Sequence, residues 1–422
     1  MHRAIEDYVR GLGLDAYVVG GAVRDELLGL EPKEADFLVP RVGHAELRAA
    51  LEPHGKVEDL VVAGQRVGLR LWPRERELRK LVPRGIEFAP PRAERSTGPG
   101  RHDFEIVASP EITVDEDMAR RDFTINAIAR RLADGTIVDP FDGSEDIERR
   151  VLRTVSPRSF EEDPLRIVRA LRFVSQLDFE PDEALLDQMR EHAGSIRLVS
   201  AERIGGGLHA DGMGELSKLV LGAQPRKALL IALETGVLGE LLPFPDSPED
   251  AFAVMQQAAD DDSPLAVRLA ALLEGLGGEA AARELRRLRY PARLQSYVGA
   301  LIRERGFEPS AADPTAARSF LRRHGDELAL DLVRLRRAEL RARNEDTAEL
   351  DSFESLLQQE RSNPHRLADL AVDGADLIGI GYQEGPELGR ALEQLLDAVV
   401  ADPALNTREA LLERARELRV AR

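Results

Sequence analysis

The fold of this chain is decided by the stretch Ala16-Tyr-Val-Val-Gly-Gly-Ala-Val-Arg-Asp-Glu-Leu-Leu-Gly29, which is soon followed by Lys33-Glu-Ala-Asp-Phe-Leu-Val39. An apolar run that ends in two glycines predicts a short buried strand and a sharp turn. The residues after the glycines are good helix formers, and Gly29 is placed to cap that helix at its C-terminal end. The second stretch predicts another strand. The chain therefore begins with a strand, a turn, a helix and a second strand.

The glycine turn and the second strand carry groups that suit phosphate and metal chemistry. Free backbone N–H groups at the helix start after Gly20 and Gly21 favour an anion such as a triphosphate, with Arg24 close by. Glu34 and Asp36 stand two residues apart on the second strand, so both carboxylates lie on one face. Hard oxygen ligands at this spacing suit Mg²⁺. Together these features indicate nucleotidyl transfer.

Alone, the pair Glu34 and Asp36 is typical of a solvated strand edge, where it could form an ion pair with Lys33. The preceding glycine turn favours the functional interpretation. Glu87, in the strand candidate Gly85-Ile-Glu-Phe-Ala89, supplies a plausible third carboxylate on a neighbouring strand.

Composition predicts several folded units without a membrane span. A chain of 422 residues is longer than one compact core usually accommodates, so two to four units are expected. No run of about 18 apolar residues occurs, and the polar N-terminus predicts an amphipathic helix in place of a secretory signal. We therefore expect a cytoplasmic location and no membrane partner. The absence of cysteine excludes disulfides and thiolate zinc sites.

The formal net charge of −18 does not by itself favour nucleic-acid binding. Net charge governs solubility and long-range steering, however, whereas binding needs only a local basic surface. Arginine suits bidentate phosphate contacts, and the chain has 53 arginines beside five lysines. A compositional bias of the coding sequence explains most of them equally well.

The pattern along the chain predicts a small head of mixed α and β structure followed by a long all-helical part. Short apolar runs alternate with turn signals up to about residue 140, and a helical periodicity follows Asp139-Pro-Phe-Asp-Gly143. A loop is expected from Pro90 to Arg101. The strand candidates are Val61-Val62, Val67–Trp72, Gly85–Ala89, Phe104–Val107 and Thr136–Val138.

A second group of polar residues is Arg120-Arg-Asp-Phe-Thr-Ile-Asn-Ala127. The arginines could neutralise phosphates, while Asp122 and Asn126 could bond a ribose hydroxyl. Alternatively, Asp122 caps a helix and Asn126 follows one turn later. Taken alone, the segment favours neither interpretation.

A third group is Glu161-Glu-Asp-Pro-Leu-Arg166. Asp163 before a proline is a helix N-cap signal, and Glu162 with Arg166 is an i, i+4 ion pair. In the functional alternative, the edges of Asp163 and Arg166 read a base: the carboxylate accepts from an exocyclic amino group and the guanidinium donates to an acceptor beside it. Both C and A present that pair.

In this order and spacing, the motifs resemble the class II nucleotidyltransferases, the family of tRNA CCA-adding enzymes and bacterial poly(A) polymerases. The resemblance rests on the glycine turn, the acidic strand, the two polar groups above and the Asp139–Gly143 turn. It continues in Ser200-Ala-Glu-Arg-Ile204 and near the chain end. The motifs are specific to the family but not to one member.

The resemblance implies an α+β head at 1–145, a helical neck at 146–240, a helical body at 241–360 and a helical tail at 361–422. It implies CCA addition to tRNA, with CTP, ATP and the tRNA acceptor arm as partners and Mg²⁺ as cofactor. Catalysis is expected from Glu34, Asp36 and Glu87, of which Glu34 and Asp36 hold the metal. The expected nucleotide-binding residues are Gly20, Gly21, Arg24, Arg121, Asp122, Asn126, Glu162, Asp163, Arg166 and Arg169.

Alternatives stay open within and outside this family. Poly(A) polymerase, CC-adding and A-adding activities fit the same motifs, although Pro91-Arg-Ala-Glu-Arg-Ser-Thr-Gly98 is more similar to CCA-type relatives. The family pattern has Asp where this chain has Glu34, so a catalytically weak tRNA-binding protein is the alternative of another class. Retention of Glu87, Arg121 and the third group argues against it. The sequence does not indicate an oligomeric state.

Overall fold

A mixed sheet of seven strands and a large set of helices make up the computed structural model, which describes residues 3–32, 36–62, 64–96, 104–108, 110–207, 213–244 and 247–420. Two compact units divide the chain. The first unit is Met1–Ile204 with Lys227–Pro243, and the second unit is Gly205–Arg226 with Phe244–Arg422. The expected α+β head followed by helices is confirmed.

The sheet of the first unit has the strand order β3-β4-β5-β2-β1-β8-β9, and β6 and β7 form a separate antiparallel hairpin. Strands β2 and β5 are parallel, whereas the other neighbours in the sheet are antiparallel. The strands are β1 (Tyr17–Val19), β2 (Asp36–Leu38), β3 (Gly55–Val62), β4 (Gln65–Pro73), β5 (Ile86–Ala89), β6 (Arg92–Ser96), β7 (Phe104–Ala108), β8 (Ala129–Arg131) and β9 (Ile137–Val138).

The helices that accompany this sheet include the expected amphipathic N-terminal helix. Gly29 follows the second helix with a φ of 70°, and its N–H bonds the carbonyl of Glu26, as expected for a C-terminal cap. The helices are α1 (Arg3–Gly11), α2 (Gly21–Leu27), α3 (His44–Leu51), α4 (Arg76–Leu81), α5 (Val114–Ala119) and α6 (Gly143–Arg149).

Helices dominate from residue 150 onward, as the periodicity predicts. They are α7 (Ser159–Glu162), α8 (Leu165–Leu177), α9 (Glu183–His192), α10 (Ala201–Ile204), α11 (Glu215–Val220), α12 (Pro225–Glu234), α13 (Val237–Leu241), α14 (Glu249–Asp260), α15 (Leu265–Leu273), α16 (Gly278–Arg287), α17 (Ala292–Glu304), α18 (Pro314–His324), α19 (Asp326–Ala342), α20 (Ala348–Glu360), α21 (Gly374–Gly379), α22 (Pro386–Ala401) and α23 (Arg408–Val420).

Two local predictions are wrong. Residues 92–96, expected in a loop, form strand β6, because their backbone pairs with β7 although their sequence has no apolar alternation. The helical part also contains a short parallel pair, β10 (Val151–Leu152) with β11 (Glu180–Pro181). Both are backbone pairings that a side-chain pattern does not reveal.

The sheet has one buried face and one more open face at its centre. Phe37 of β2 and Phe88 of β5 are register partners on the buried face, with ring centroids 5.4 Å apart. Side chains alternate along a strand, so the neighbouring Asp36 and Glu87 point to the other face. The apolar packing therefore fixes the side to which these two carboxylates point.

Helix α8 buries the predicted stripe completely: Ile167, Ala170, Leu171 and Val174 are at most 1% exposed. This packing holds Arg166 and Arg169, which adjoin the stripe along the helix, in a fixed position. Among the described residues, no helix has both the length and the apolar composition needed to cross a membrane.

Candidate active site

The turn between β1 and α2 favours glycine at its first position because of its backbone conformation. Gly20 has a φ of 66°, a value that L side chains rarely adopt. A Cβ atom there would lie 2.5 Å from Nη1 of Arg121. The backbone of Gly20 and the guanidinium of Arg121 are thus in close contact, which places a cation beside the start of α2.

Two candidate catalytic carboxylates are neighbours across the sheet. Asp36 and Glu87 are register partners in the parallel pair β2 and β5. Arg70 of β4 is the next residue in this row, and its Nε donates to Oε1 of Glu87 at 3.1 Å. Glu34 lies outside the described residues. Within those residues, no cluster of three or more potential metal-ligating side chains is present.

A chain of hydrogen bonds joins four of the predicted nucleotide-binding residues. Arg24 Nη1 donates to Asn126 Oδ1 at 2.7 Å, and Asn126 Nδ2 donates to Asp122 Oδ1 at 2.9 Å. The other carboxylate oxygen of Asp122 accepts from Arg169 at 2.6 and 2.8 Å. Three separate segments of the first unit are thereby linked.

The charge state of Asp122 is fixed by this network. Burial alone would raise the pKa of its carboxyl, but the Arg169 charge and the bonds from Asn126 and Arg169 hold that pKa well below its usual range. The helix-cap alternative for Asp122 is wrong, since Thr124–Asn126 form a single 3₁₀ turn without a side-chain cap. Asp122 therefore remains ionised and holds the neighbouring donors in place.

Asp117 is a buried carboxylate that the sequence analysis did not single out. It is fully buried, it pairs with Arg120 at 2.9 Å and with Arg121 at 3.2 Å, and it accepts the backbone N–H of Arg92 at 3.0 Å. Burial raises the pKa of Asp117, but the two arginines outweigh burial and lower it. In the sequence, the position of Asp117 one helical turn before Arg120 and Arg121 is the signal that could have identified it.

The start of α8 holds Arg166 in a buried position. Its guanidinium donates to Glu162 at 2.9 Å, to Ser159 Oγ at 3.0 Å and to the carbonyl of Arg120 at 2.8 Å. The predicted ion pair of Glu162 and Arg166 is present. The bond to the Arg120 carbonyl also ties α8 to the second polar group.

Asp163 carries a helix-start bond and an ion pair at the same time. Its Oδ1 accepts the N–H of Leu165 at 3.1 Å, as the capping interpretation predicts. Its Oδ2 accepts from Arg203 at 2.7 Å, a contact that the sequence analysis missed. Arg203 lies in the Ser200–Ile204 motif, which was the only signal. A base that binds Asp163 and Arg166 would have to share or replace these partners.

Three guanidinium groups surround Phe173 near the end of this network. The Cζ atoms of Arg172, Arg24 and Arg169 lie 4.2, 5.2 and 5.9 Å from the ring centroid. Cations at these distances are attracted by the ring quadrupole. Three guanidinium groups thereby lie close to Asn126, although Arg24 is ion-paired with Asp25 and Arg169 with Asp122, and such a group of cations favours a polyphosphate ligand.

Comparison with known proteins gives matches along most of the chain. Residues 16–153 match the model of the poly A polymerase head domain. Residues 178–247 match a probable RNA and SrmB-binding site of polymerase A, and residues 266–415 match a putative domain 2 of tRNA nucleotidyltransferase.

Individual relatives are named for CCA addition. A CCA-adding enzyme of Pseudomonas putida is 36% identical over 289 residues, which are 66% of this chain and 70% of the relative. A multifunctional CCA protein of Xanthomonas campestris is 32% identical, over 91% of this chain and 98% of the relative. In four further multifunctional CCA proteins the matched part spans 62% to 65% of the relative's length.

A solved structure resembles the whole chain. The crystal structure of the Bacillus stearothermophilus CCA-adding enzyme in complex with CTP has a TM-score of 0.72 and 27% sequence identity. The match covers 99% of this chain and 98% of that chain.

Proposed function

We propose, since the chain belongs to the family of tRNA nucleotidyltransferases and poly(A) polymerases, that it adds C, C and A to the 3′ end of tRNA from CTP and ATP, releasing pyrophosphate. The observation that carries this proposal is the pairing of Asp36 with Glu87 in register on one open sheet face. CTP binding by the related Bacillus enzyme supports the choice of substrate.

Enzymes of this family generally use a divalent metal ion. Here we propose Mg²⁺, held by Asp36 and Glu34 with help from Glu87. The donors fit this ion because all of them are carboxylate oxygens, which Mg²⁺ prefers. In such a site Mg²⁺ supplies charge stabilisation at the attacking and leaving oxygens of an in-line displacement.

The nucleotide is proposed to lie between the glycine turn and α8. Gly20 and Gly21 allow close approach of phosphates, and Arg24 and Arg121 supply the positive charge. Asp122 and Asn126 would bond the ribose. Arg24 now bonds Asn126, so an incoming triphosphate would share or take over the donors of Arg24.

Base choice is proposed for the start of α8. Asp163 would accept from the amino group of C or A, and Arg166 would donate to the adjacent acceptor. Glu162, Ser159 and Arg203 fix the orientation of these two side chains. Fixed edges discriminate bases better than mobile ones, because their orientation requires no further ordering on binding.

The remaining assignments are predictions from the sequence. They are the head, neck, body and tail boundaries at 145, 240 and 360, and the location in the cytoplasm. The clamp on the tRNA acceptor arm is proposed for the helices after the head, through backbone and shape contacts.

The test uses purified protein and tRNA transcripts that end before C, after CC and after CCA, each with one labelled nucleoside triphosphate. We expect two C additions followed by one A, and no extension of the complete end. Repeated A addition to any end would identify a poly(A) polymerase. Arrest after CC, or A addition alone, would identify a partial enzyme. Tight tRNA binding with no incorporation would identify a pure tRNA-binding protein.

A further inference from the structure

A basic cavity lies at one end of the β3–β4 hairpin in the first unit. It has a volume of about 320 Å³ and is lined by Lys56, Trp72, Pro73, Arg74 and Arg79. The Lys56 ammonium lies 5.4 Å from the Trp72 ring centroid. We call the surface that these five residues form around the cavity the Trp72 basic surface.

The Trp72 basic surface is positive on a chain that is strongly negative overall. Residues 70–84 contain six basic and two acidic side chains, whereas the whole chain has a net charge of −18. Arg74 and Arg79 are exposed. Within the described part of the chain neither of them forms an ion pair, although Lys56 pairs with Glu58 at 2.5 Å. Two guanidinium groups are therefore available to an external anion.

The strand registers place this surface on the same sheet face as the candidate catalytic carboxylates. Lys56 opposes Trp72 across β3 and β4, and Arg70 opposes Glu87 across β4 and β5. Trp72 stands two residues from Arg70 and so shares its face. The Arg70 guanidinium, 5.8 Å from the Trp72 ring centroid, agrees with this placement.

The distance between the Trp72 basic surface and the candidate catalytic carboxylates is short compared with the length of a nucleic-acid strand. One strand spacing of about 4.8 Å and two residues along the strand, about 6.8 Å, separate the backbones of Trp72 and Glu87. An RNA strand whose 3′ end reaches Glu87 and Asp36 can therefore have a preceding part of its backbone at the Trp72 basic surface.

We propose that the Trp72 basic surface binds backbone phosphates of the RNA substrate close to its 3′ end. Arginine forms bidentate bonds with phosphate, and the guanidinium groups of Arg74 and Arg79, which line this surface, match such a strand in charge. The inference rests on the proposed function in one respect, because it takes the substrate to be RNA. Its test does not need the reaction.

Trp72 is the only tryptophan of the chain, so its fluorescence reports directly on this surface. We would titrate the protein with a tRNA transcript lacking CCA and follow both fluorescence and affinity over a range of salt concentrations. The test variant is Arg74→Gln with Arg79→Gln. The matched control is Arg3→Gln with Arg149→Gln, an equal charge change at two exposed positions elsewhere in the first unit.

For wild type and control we expect tRNA to change the Trp72 emission. In the test variant we expect about tenfold weaker binding at low salt and a smaller emission change. The slope of log affinity against log salt should fall by about 0.7 for each lost phosphate contact. A test variant that matches the control in affinity, slope and emission would overturn the proposal.

Two further outcomes separate this inference from its alternatives. Normal tRNA binding by the test variant, with loss of binding to poly-glutamate, would assign the surface to an acidic protein segment and refute the RNA assignment. If the test variant loses tRNA affinity but neither protein incorporates nucleotides, the surface stands and the proposed function fails.

Discussion

Two arginines of the first unit and two arginines of the second unit differ in the groups that they bond. In the first unit, Arg24 and Arg169 bond an amide and carboxylates of other side chains and gather around Phe173. In the second unit, Arg268 donates mainly to backbone carbonyls, whereas Arg318 donates to two carbonyls and also to the side chains of Glu360 and Thr315. The side chains of Arg268 and Arg318 are 4% and 7% exposed, whereas those of Arg24 and Arg169 are 13% and 31% exposed.

The carbonyl partners explain what the second pair does. Arg268 donates to the carbonyls of Ser263, Val220 and Gly222, and Arg318 donates to those of Val400 and Ala401. Each guanidinium satisfies carbonyl groups that are not bonded within a helix. The arginine-rich composition is therefore no measure of phosphate binding, because the partners of each guanidinium decide its role.

The largest effect on activity is expected when a negative charge is removed from the carboxylate pair Asp36 and Glu87 of the first unit. Asp36→Asn keeps the shape of the side chain but removes its negative charge, so we expect nucleotide incorporation to fall about a thousandfold, or about 4 kcal/mol of barrier. Affinity for tRNA should stay close to wild type. Steady-state incorporation and a binding titration measure both. Activity within tenfold of wild type would contradict the role of Asp36 as a metal ligand.

Arg268→Met tests the structural role in the second unit. The variant keeps much of the side-chain volume but leaves several buried carbonyls without a donor, so we expect a loss of about 3 kcal/mol in the free energy of unfolding. The thermal midpoint should fall by about 6–12 °C. Arg293→Met, at a side chain that is 88% exposed, is the control. If the variant lost much of its nucleotide incorporation per folded molecule without being destabilised, the structural role of Arg268 would be contradicted.

Asp163→Ala and Arg166→Ala test whether these two side chains of the first unit select the base in addition to stabilising the structure. Either change should reduce the preference for C and A over U and G by about ten- to a hundredfold, as expected for a contact that contributes about 1–3 kcal/mol to base discrimination. Competition between nucleotides measures the preference. Unchanged preference in a destabilised enzyme would assign Asp163 to the helix start alone.

The buried carboxylates of the two units also differ, and Glu274→Gln tests that difference. Arginine lowers the pKa of Asp122, whereas burial and the adjacent Glu339 raise the pKa of Glu274 to about 7, despite Arg305. The folded second unit thus binds a proton that the unfolded chain lacks between about pH 4.5 and 7. The stability from this group is complete below that window and is lost as pH rises through 7.

At pH 8 we therefore expect Glu274→Gln to raise the thermal midpoint by about 2–4 °C, or about 1 kcal/mol, with little effect at pH 4.5. Thermal unfolding at both pH values measures the effect. The exposed Glu349→Gln is the control and should change neither midpoint. Equal shifts at the two pH values would refute the role of proton binding.

Local sequence signals predicted the elements that depend on local chemistry. The two glycines before α2, the apolar stripe of α8 and the ion pair of Glu162 with Arg166 each follow from residues close together in the chain. Strand β6 was missed because its pairing with β7 depends on backbone bonds and its side chains show no apolar alternation.

Contacts between distant residues could not be predicted from one sequence. Arg203 pairs with Asp163 from 40 positions away, and Arg169 reaches Asp122 across 47. Such pairs depend on how helices pack, which periodicity does not specify. The resemblance to a family supplied the candidate residues, but only the structure shows that Arg70 bonds Glu87.

Helix α8 is fastened to the preceding polar segment at two points one turn apart, since Arg166 bonds the carbonyl of Arg120 and Arg169 bonds Asp122. Anyone who builds chimaeras between relatives should therefore exchange residues 120–126 and 159–169 as a single module. A junction between these two segments would combine helix α8 of one parent with the segment 120–126 of the other parent. Substitutions of Asp122 and Arg169 should accordingly be tolerated as a matched pair and rejected singly.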